Sequence, residues 1–368
     1  MEKADKFLSK IENKNNQKLE AFRRMKNSRL PLIIYGTNEY AKLLAEFLHT
    51  HNIKINAACV DNEFFESHNT FLDDIYVYPL EEIPFRFDYF NVLIGFADFK
   101  SAEKKLSNLT GCQNIFFLDS PLNFDSFDYN YITKNLDEFL ASYNLLEDSL
   151  SRHTMTAFIN GKISGRPDEL YNLVQLDRYF PSDILKLSSE EVFIDAGAYE
   201  GDSIIKLLDK TNGHYKTIYA FEPDKYSYNK LKEMIKKRGL KNIIIYNKGV
   251  WNKKDKLKFN INSDAGTMSA ISKNGKNYIE VDTIDNLVDN SKATYIKIEV
   301  QGSAIEALKG AENTIKNSKP KLAVAVDYNP HDLITIPAFI NRTAPGYKFY
   351  LRHYLQITHM LVLYAVYR

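Results

Sequence analysis

The stretch that decides the fold is residues 192–203, Val192-Phe193-Ile194-Asp195-Ala196-Gly197-Ala198-Tyr199-Glu200-Gly201-Asp202-Ser203. Its first four residues are a short apolar run closed by an acid, the pattern of a parallel strand buried on both faces. A glycine-containing turn follows, and Asp202 opens a helical stretch to Leu208. Gly197 and Gly201 let the backbone approach a ligand closely. The helix start beside them supplies amides that have no partner inside the helix. Asp195, at the strand end, can support the loop or a bound ammonium group. A dinucleotide loop would need G-x-G-x-x-G. Counted from Gly197, Tyr199 and Asp202 stand at the second and third glycine positions.

Outward from this loop, strands and helices alternate. Strands are expected at 217–221, 242–246, 295–300 and 322–326, and helices at 225–237 and 304–317. A β-rich insertion covers 257–261 and 278–281. Two last strands, 347–351 and 360–367, lie too close for a helical crossover and should pair antiparallel. A smaller α/β unit precedes this one, with strands at 30–35, 55–60, 90–96 and 114–118 and a helix at 41–49. The expected organisation is an N-terminal amphipathic helix (1–28), a Rossmann-like accessory or substrate domain (29–120), a helical connector (121–188) rich in aromatics such as Phe124 and Phe139, and a second Rossmann-like domain (189–368). The fold class is therefore α/β with two parallel sheets.

Composition narrows the function. With 368 residues, about two domains are expected. Lysine plus arginine total 48 against 47 acids, so there is no global electrostatic reason to bind nucleic acid or an anionic membrane. Two cysteines, Cys59 and Cys112, are too few for a disulfide framework or a cysteine zinc site. The charged N-terminus lacks a signal-peptide core, and no membrane span is expected, which makes the cytoplasm the default location. The histidines are scattered, with no H-x-x-x-H and no carboxylate array, so no metal is expected; Glu299 and Asp327 are the pair that a hard cation would use.

Glu222 closes the strand 217–221, 25 residues after Gly197. An acid there accepts two hydrogen bonds from a ribose diol in other nucleoside-binding α/β sheets. With these pieces in place, the stretch from Val192 to Arg368 resembles an FkbM-type S-adenosylmethionine-dependent methyltransferase. The resemblance rests on VFIDAGAYEGDS, IYAFEPD, NKGVW, YIKIEVQGSAIEALKGAENTI, KPKLAVAV and YKFYLRHY, with LEDSLSRHTMTAFINGKISG and DRYFP resembling the upstream connector. It implies a class I methyltransferase sheet ending in an antiparallel strand pair. It also implies S-adenosyl-L-methionine as cofactor, with Asp195 and Gly197 along the methionine part and Glu222 on the ribose. Asn247, Lys248, Gly249 and Val250 would border the adenine. Tyr199, Gly201, Asp202, Ser203, Pro223 and Glu299 complete the expected cofactor contacts.

The expected reaction is methyl transfer to a hydroxyl of a sugar, nucleotide sugar or glycan precursor. Positioning supplies much of the acceleration, and a hydroxyl acceptor also needs a general base. His353, inside Leu351-Arg352-His353-Tyr354, matches the family and is the leading base; Glu299 and Asp327 are the other candidates. The family's Asp-Val-Glu-Gly is Glu299-Val300-Gln301-Gly302 here, and its Tyr-His is Asp327-Tyr328. Gln301 cannot act as a base and joins Arg352 as a substrate contact. In the first domain, Gly36 and Asn38 sit at a nucleotide-type turn and Asp61 closes the second strand, a set expected to meet substrate. The alternatives are a non-catalytic nucleotide- or glycan-binding protein and an NAD-dependent oxidoreductase using the first domain. Self-association stays open.

Overall fold

A computed structural model describes residues 2–12, 17–66, 70–71, 74–119, 126–260, 270–271, 275, 277–288 and 292–367. The expected domain boundary at 120, Phe124 and Ile261 lie outside them. The chain forms two compact units that interleave along the sequence. The first holds Met1–Leu136, Met155–Val174 and Leu355–His359, and the second holds Asp137–Thr154, Gln175–Tyr354 and Met360–Arg368. Among the described residues no helix is long and apolar enough to cross a membrane.

In the first unit the strands are β1 (Leu32–Tyr35), β2 (Ala57–Val60), β3 (Thr70–Phe71), β4 (Ile75–Pro79), β5 (Phe90–Ile94) and β6 (Cys112–Phe117). They form one sheet in the order β3-β4-β2-β1-β5-β6. All neighbours are parallel except β3, which runs antiparallel to β4. Strands β1, β2 and β5 are buried along their whole length, as their near-continuous apolar runs require. Strand β4 was not anticipated. Its Ile75-Tyr76-Val77-Tyr78-Pro79 mixes buried and solvent-facing positions and ends in proline, so it lacks the apolar run that marks its neighbours.

The helix Glu39–Thr50 is held at its start by Asn38, whose side-chain oxygen accepts from the Tyr40 and Ala41 amides at 2.9 and 3.1 Å. Asn38→Ala should therefore lower the stability of this unit by about 1 kcal/mol. Chemical denaturation followed by circular dichroism checks this; an unchanged midpoint would show that the cap carries no stability.

The segment Leu355–His359 completes this unit. Ile357 is buried in the same cluster as Phe99 and Phe117. The Asp119 carboxylate, itself buried, accepts from the Thr358 amide at 2.8 Å and from the Thr358 hydroxyl, and Lys162 lies 3.7 Å away.

The second unit contains β7 (Val192–Ala196), β8 (Thr217–Phe221), β9 (Ile243–Tyr246), β10 (Gly249–Val250), β11 (Asp255–Asn260), β12 (Ala270–Ile271), β13 (Asn277–Asp282), β14 (Tyr295–Ile298), β15 (Lys321–Ala325), β16 (Tyr347–His353) and β17 (Leu361–Tyr367). Seven of these form the main sheet, ordered β16-β17-β15-β14-β7-β8-β9. Strand β17 runs antiparallel to both of its neighbours and the rest are parallel, so the two last strands pair as expected. The insertion between β9 and β14 supplies a second sheet, β10-β13-β11-β12.

The single helix expected at 304–317 is two, Ala304–Lys309 and Glu312–Ser318. Gly310 breaks it: a side chain there would overlap the Trp251 carbonyl, and the Gly310 carbonyl accepts from the Asp285 amide at 2.9 Å. Under the main sheet, Phe180, Phe193 and Tyr295 form a buried aromatic cluster.

Candidate active site

Strand order locates the site in the second unit. Strand β7 lies between β8 and β14, so the loops leaving β7 and β14 diverge at their carboxyl ends. Such a switch point is where open α/β sheets bind ligands. Ala196 pairs with Phe221 on β8 and with Ile298 on β14, so Gly197, Glu222 and Glu299 leave the sheet side by side.

A buried ion pair forms the base of the loop. Asp195 is fully buried, and Lys297, in the middle of β14, is 1 % exposed. The Lys297 ammonium donates to Asp195 Oδ1 at 2.9 Å and to the Gly197 carbonyl at 2.7 Å, and lies 3.5 Å from Glu299 Oε2. The Ser203 hydroxyl donates to the other Asp195 oxygen. Burial pushes the Asp195 carboxyl above the usual carboxylate range, while Lys297 and Ser203 pull it back. Burial also works against the Lys297 charge, but the carboxylates of Asp195, Glu299 and Asp202 outweigh it and hold the amine protonated. Of the two roles expected for Asp195, loop support is the one this geometry serves.

Gly197, at φ +87°, is a glycine because a side chain there would overlap the Glu299 carbonyl. The close approach that the sequence suggested is thus to the neighbouring strand. Gly201, at φ +95°, caps the helix Asp202–Lys210. Tyr199 between them has φ +48°, and its amide donates to Glu222 Oε2 at 2.8 Å. Glu222 Oε1 accepts from the Asp224 amide at 2.8 Å. Each Glu222 oxygen keeps acceptor capacity beyond these bonds. Burial lifts the Glu222 carboxyl to about 7, against the pull of the two amides. Pro223 continues this turn, and the Asn247 side chain donates to the Glu222 and Pro223 carbonyls at 2.9 and 3.1 Å. Lys248 faces Asp282 at 3.6 Å and Glu280 at 3.9 Å. Gly249 and Val250 form β10, and Val250 is 2 % exposed, so this pair is held within the second sheet.

The expected catalytic residues separate. Glu299 stands between two cations, 3.5 Å from both Lys297 and Arg178. Asp327 follows β15, is 8 % exposed, and accepts from the Met360 amide at 3.0 Å. Gln301 accepts from the Tyr328 hydroxyl at 2.8 Å. His353, the expected leading base, is fully buried at the end of β16, paired with Leu361. Strand spacing puts β16 three strands, roughly 14 Å, from β14. The structure thus buries the ring of the expected base in the second unit, away from the Gly197 loop on β7.

Arg352, the expected substrate contact, is held by side chains of its own unit. At 3 % exposure it donates to Asp148 at 2.7 Å, Asp183 at 3.0 Å and the Ser151 hydroxyl at 2.9 Å.

In the first unit, the expected substrate set has internal duties. Gly36, at φ +117°, donates to the Cys59 carbonyl at 2.8 Å, and Asn38 is spent on its helix cap. Asp61 accepts from the Tyr35 hydroxyl at 2.6 Å and pairs with Lys105 at 2.5 Å. Burial raises the Asp61 carboxyl, but the Lys105 and Tyr35 hydrogen bonds outweigh it and leave it below its ordinary value.

Two residues of the site were not anticipated from sequence. Lys297 lies in Tyr295-Ile296-Lys297-Ile298, where a lysine inside an apolar strand signals a buried partner. Arg178 lies in Asp177-Arg178-Tyr179-Phe180-Pro181, a stretch that pattern alone marks only as a connector. Among the described residues, no group of three His, Cys, Asp or Glu could hold a metal ion.

Residues 195–349, within the second unit, match the family model described as the Methyltransferase FkbM domain. No curated protein matches the sequence. Among solved structures, the FkbM methyltransferase from Methylobacillus flagellatus KT superposes with a TM-score of 0.76 at 21 % identity, covering 99 % of both chains. At that identity the likeness is one of fold. An rRNA methylase from Streptococcus thermophilus (TM-score 0.33, 16 % identity) covers 50 % of this chain and 90 % of its own. A precorrin-6y C5,15-methyltransferase from Geobacter metallireducens GS-15 (TM-score 0.33, 13 % identity) covers 50 % of this chain and 82 % of its own.

Proposed function

We propose that this protein is an S-adenosyl-L-methionine-dependent methyltransferase that acts on a hydroxyl. One observation carries the cofactor: the Glu222 carboxylate leaves β8 beside the Gly197 loop with acceptor capacity left on both oxygens. A ribose diol is the donor pair that fits it. When bound, the sulfonium supplies an electrophilic methyl group for in-line displacement.

The chain's own residues then have separable duties. Glu222 holds the ribose. Lys297 and Asp195 keep the Gly197 loop rigid, so the geometry is set before the acceptor arrives. Asp327 takes the acceptor proton, because Glu299 is compensated by two cations and His353 is sealed. The acceptor class, a sugar, nucleotide sugar or glycan precursor, extends the proposal from the family resemblance.

The dinucleotide alternative is disfavoured by Asn38. Its side chain already occupies the Tyr40 and Ala41 amides that a pyrophosphate would use at that helix start.

Isothermal titration tests the proposal. Wild-type protein should bind S-adenosylhomocysteine saturably and NAD not at all. With S-adenosylmethionine and a pool of hydroxylated acceptors it should release S-adenosylhomocysteine. No binding of S-adenosylhomocysteine overturns the reading, and binding without turnover on any acceptor makes the protein a binding module.

A further inference from the structure

Arg178 is a charged group at this edge of the sheet to which the function above assigns no ligand. Its guanidinium is half-buried, 3.5 Å from Glu299 Oε1 and 4.0 Å from Asp202 Oδ2, against the Met360 sulfur and 5.0 Å over the Tyr179 ring. A closed arginine–carboxylate pair brings nitrogen and oxygen to about 2.7–2.9 Å. The chain makes such pairs elsewhere, with Arg166 at 2.6 Å from Glu103 and Arg352 at 2.7 Å from Asp148. Arg178 instead stands between two carboxylates and closes on neither.

The backbone that aims it is strained and over-determined. Asp177 and Tyr179, on either side of Arg178, have φ of +61° and +72°, and Met360 beneath it has +66°. These are costly conformations for such residues, and they persist where surrounding structure enforces them, commonly at functional sites. Here the enforcement is visible. The Tyr179 amide donates to the Tyr364 hydroxyl at 2.9 Å, and the Tyr295 hydroxyl donates to the Tyr179 carbonyl. Lys210 pairs with Asp177 at 2.6 Å. Tyr179, Tyr295 and Tyr364 are all buried.

We propose that Arg178 and Glu299 together receive a zwitterionic α-amino-acid end, Arg178 taking its carboxylate and Glu299 its ammonium. On the function proposed above, which this inference rests on, that end is the methionine part of the methyl donor. The loose pair parts to admit the zwitterion, so one ion pair is exchanged for two and no net charge is buried. The guanidinium fork suits a carboxylate better than a point charge does. An acidic group on the acceptor is the other source of a carboxylate, and the arms below separate the two.

The test is titration of S-adenosylhomocysteine, its decarboxylated analogue and 5′-methylthioadenosine into wild type, Arg178→Gln and Arg178→Lys. Wild type should bind S-adenosylhomocysteine roughly 10–100-fold more tightly than the decarboxylated analogue. Arg178→Gln should lose that preference while binding 5′-methylthioadenosine like wild type, and Arg178→Lys should fall between. The wild-type comparison needs no variant, so it stands even if a substitution unfolds the protein. No preference in wild type, or a preference that survives Arg178→Gln, overturns the inference and leaves the guanidinium to the acceptor. If wild type binds none of the three ligands, the methyltransferase reading itself fails.

Discussion

Lys297→Met should lower the melting temperature of the protein by roughly 6–20 °C. The variant strands the Asp195 carboxylate at zero exposure, with the Ser203 hydroxyl as its one remaining side-chain donor among the described residues. Removing one partner of a buried pair costs about 3–5 kcal/mol, because the other charge keeps its desolvation penalty and loses its compensation. For a unit of this size, each kcal/mol moves the melting temperature by about 2–4 °C. The Gly197 carbonyl also loses its donor. Affinity for S-adenosylhomocysteine should therefore fall with stability. Adding Asp195→Asn should recover much of the lost stability, since it removes the stranded charge. Scanning calorimetry on the two variants decides it: a shift under about 2 °C for Lys297→Met, or no recovery in the double variant, contradicts a stabilising pair.

Glu222→Ala should abolish measurable binding of S-adenosylhomocysteine, a loss of at least about a hundredfold, since it removes a charged acceptor of two ligand hydrogen bonds. It also leaves the Tyr199 and Asp224 amides without their acceptor. In wild type, affinity should rise as pH increases from 6 to 8. The Glu222 carboxyl titrates near 7 in the folded protein against an ordinary 4.5, and a diol donates to the ionised form. Below pH 7 affinity falls up to about tenfold per unit, and above it the curve flattens.

Stability carries the opposite sign. The folded state binds the extra proton between pH 4.5 and about 7, so this carboxyl's contribution is complete below 4.5 and is lost as pH rises to 7. Titrations across pH, in buffers of different ionisation enthalpy, should show proton release on binding. A pH-independent affinity with no proton release would remove Glu222 from the ribose. Glu222→Gln is not a neutral control, because its amide nitrogen must face either the Tyr199 or the Asp224 N–H.

The main sheet was legible because buried parallel strands leave near-continuous apolar runs, and Val192–Ala196, Thr217–Phe221 and Leu361–Tyr367 each carry one. The acid at the end of β8 was legible for the same reason, since its place follows from the strand before it. What could not be read is what depends on pairing between distant segments. The partner of Lys297 is Asp195, 102 residues away, and is fixed only once β14 lies beside β7.

His353 and Arg352 show the same limit. The sequence placed both at the site, His353 as the base and Arg352 as a substrate contact. Both are buried, because each face of β16 is covered by segments that no local pattern brings there. Arg178 was hidden by its backbone: residues at positive φ follow from tertiary contacts, here with Tyr295 and Tyr364, rather than from local preference.

The interleaving of the two units also has a consequence for how the molecule is made. The first unit is begun by the opening residues of the chain, yet its Asp119 waits for Thr358 and its apolar cluster for Ile357. During synthesis a domain made first commonly folds first. Here that order is interrupted, because a nascent chain stalled at residue 350 has produced most of the first unit but lacks the Thr358 donors to Asp119 and the buried Ile357. The first unit is thus completed only after Leu355–His359 has been made, and cutting the gene at a boundary between the sheets would leave an unfinished core in the N-terminal fragment.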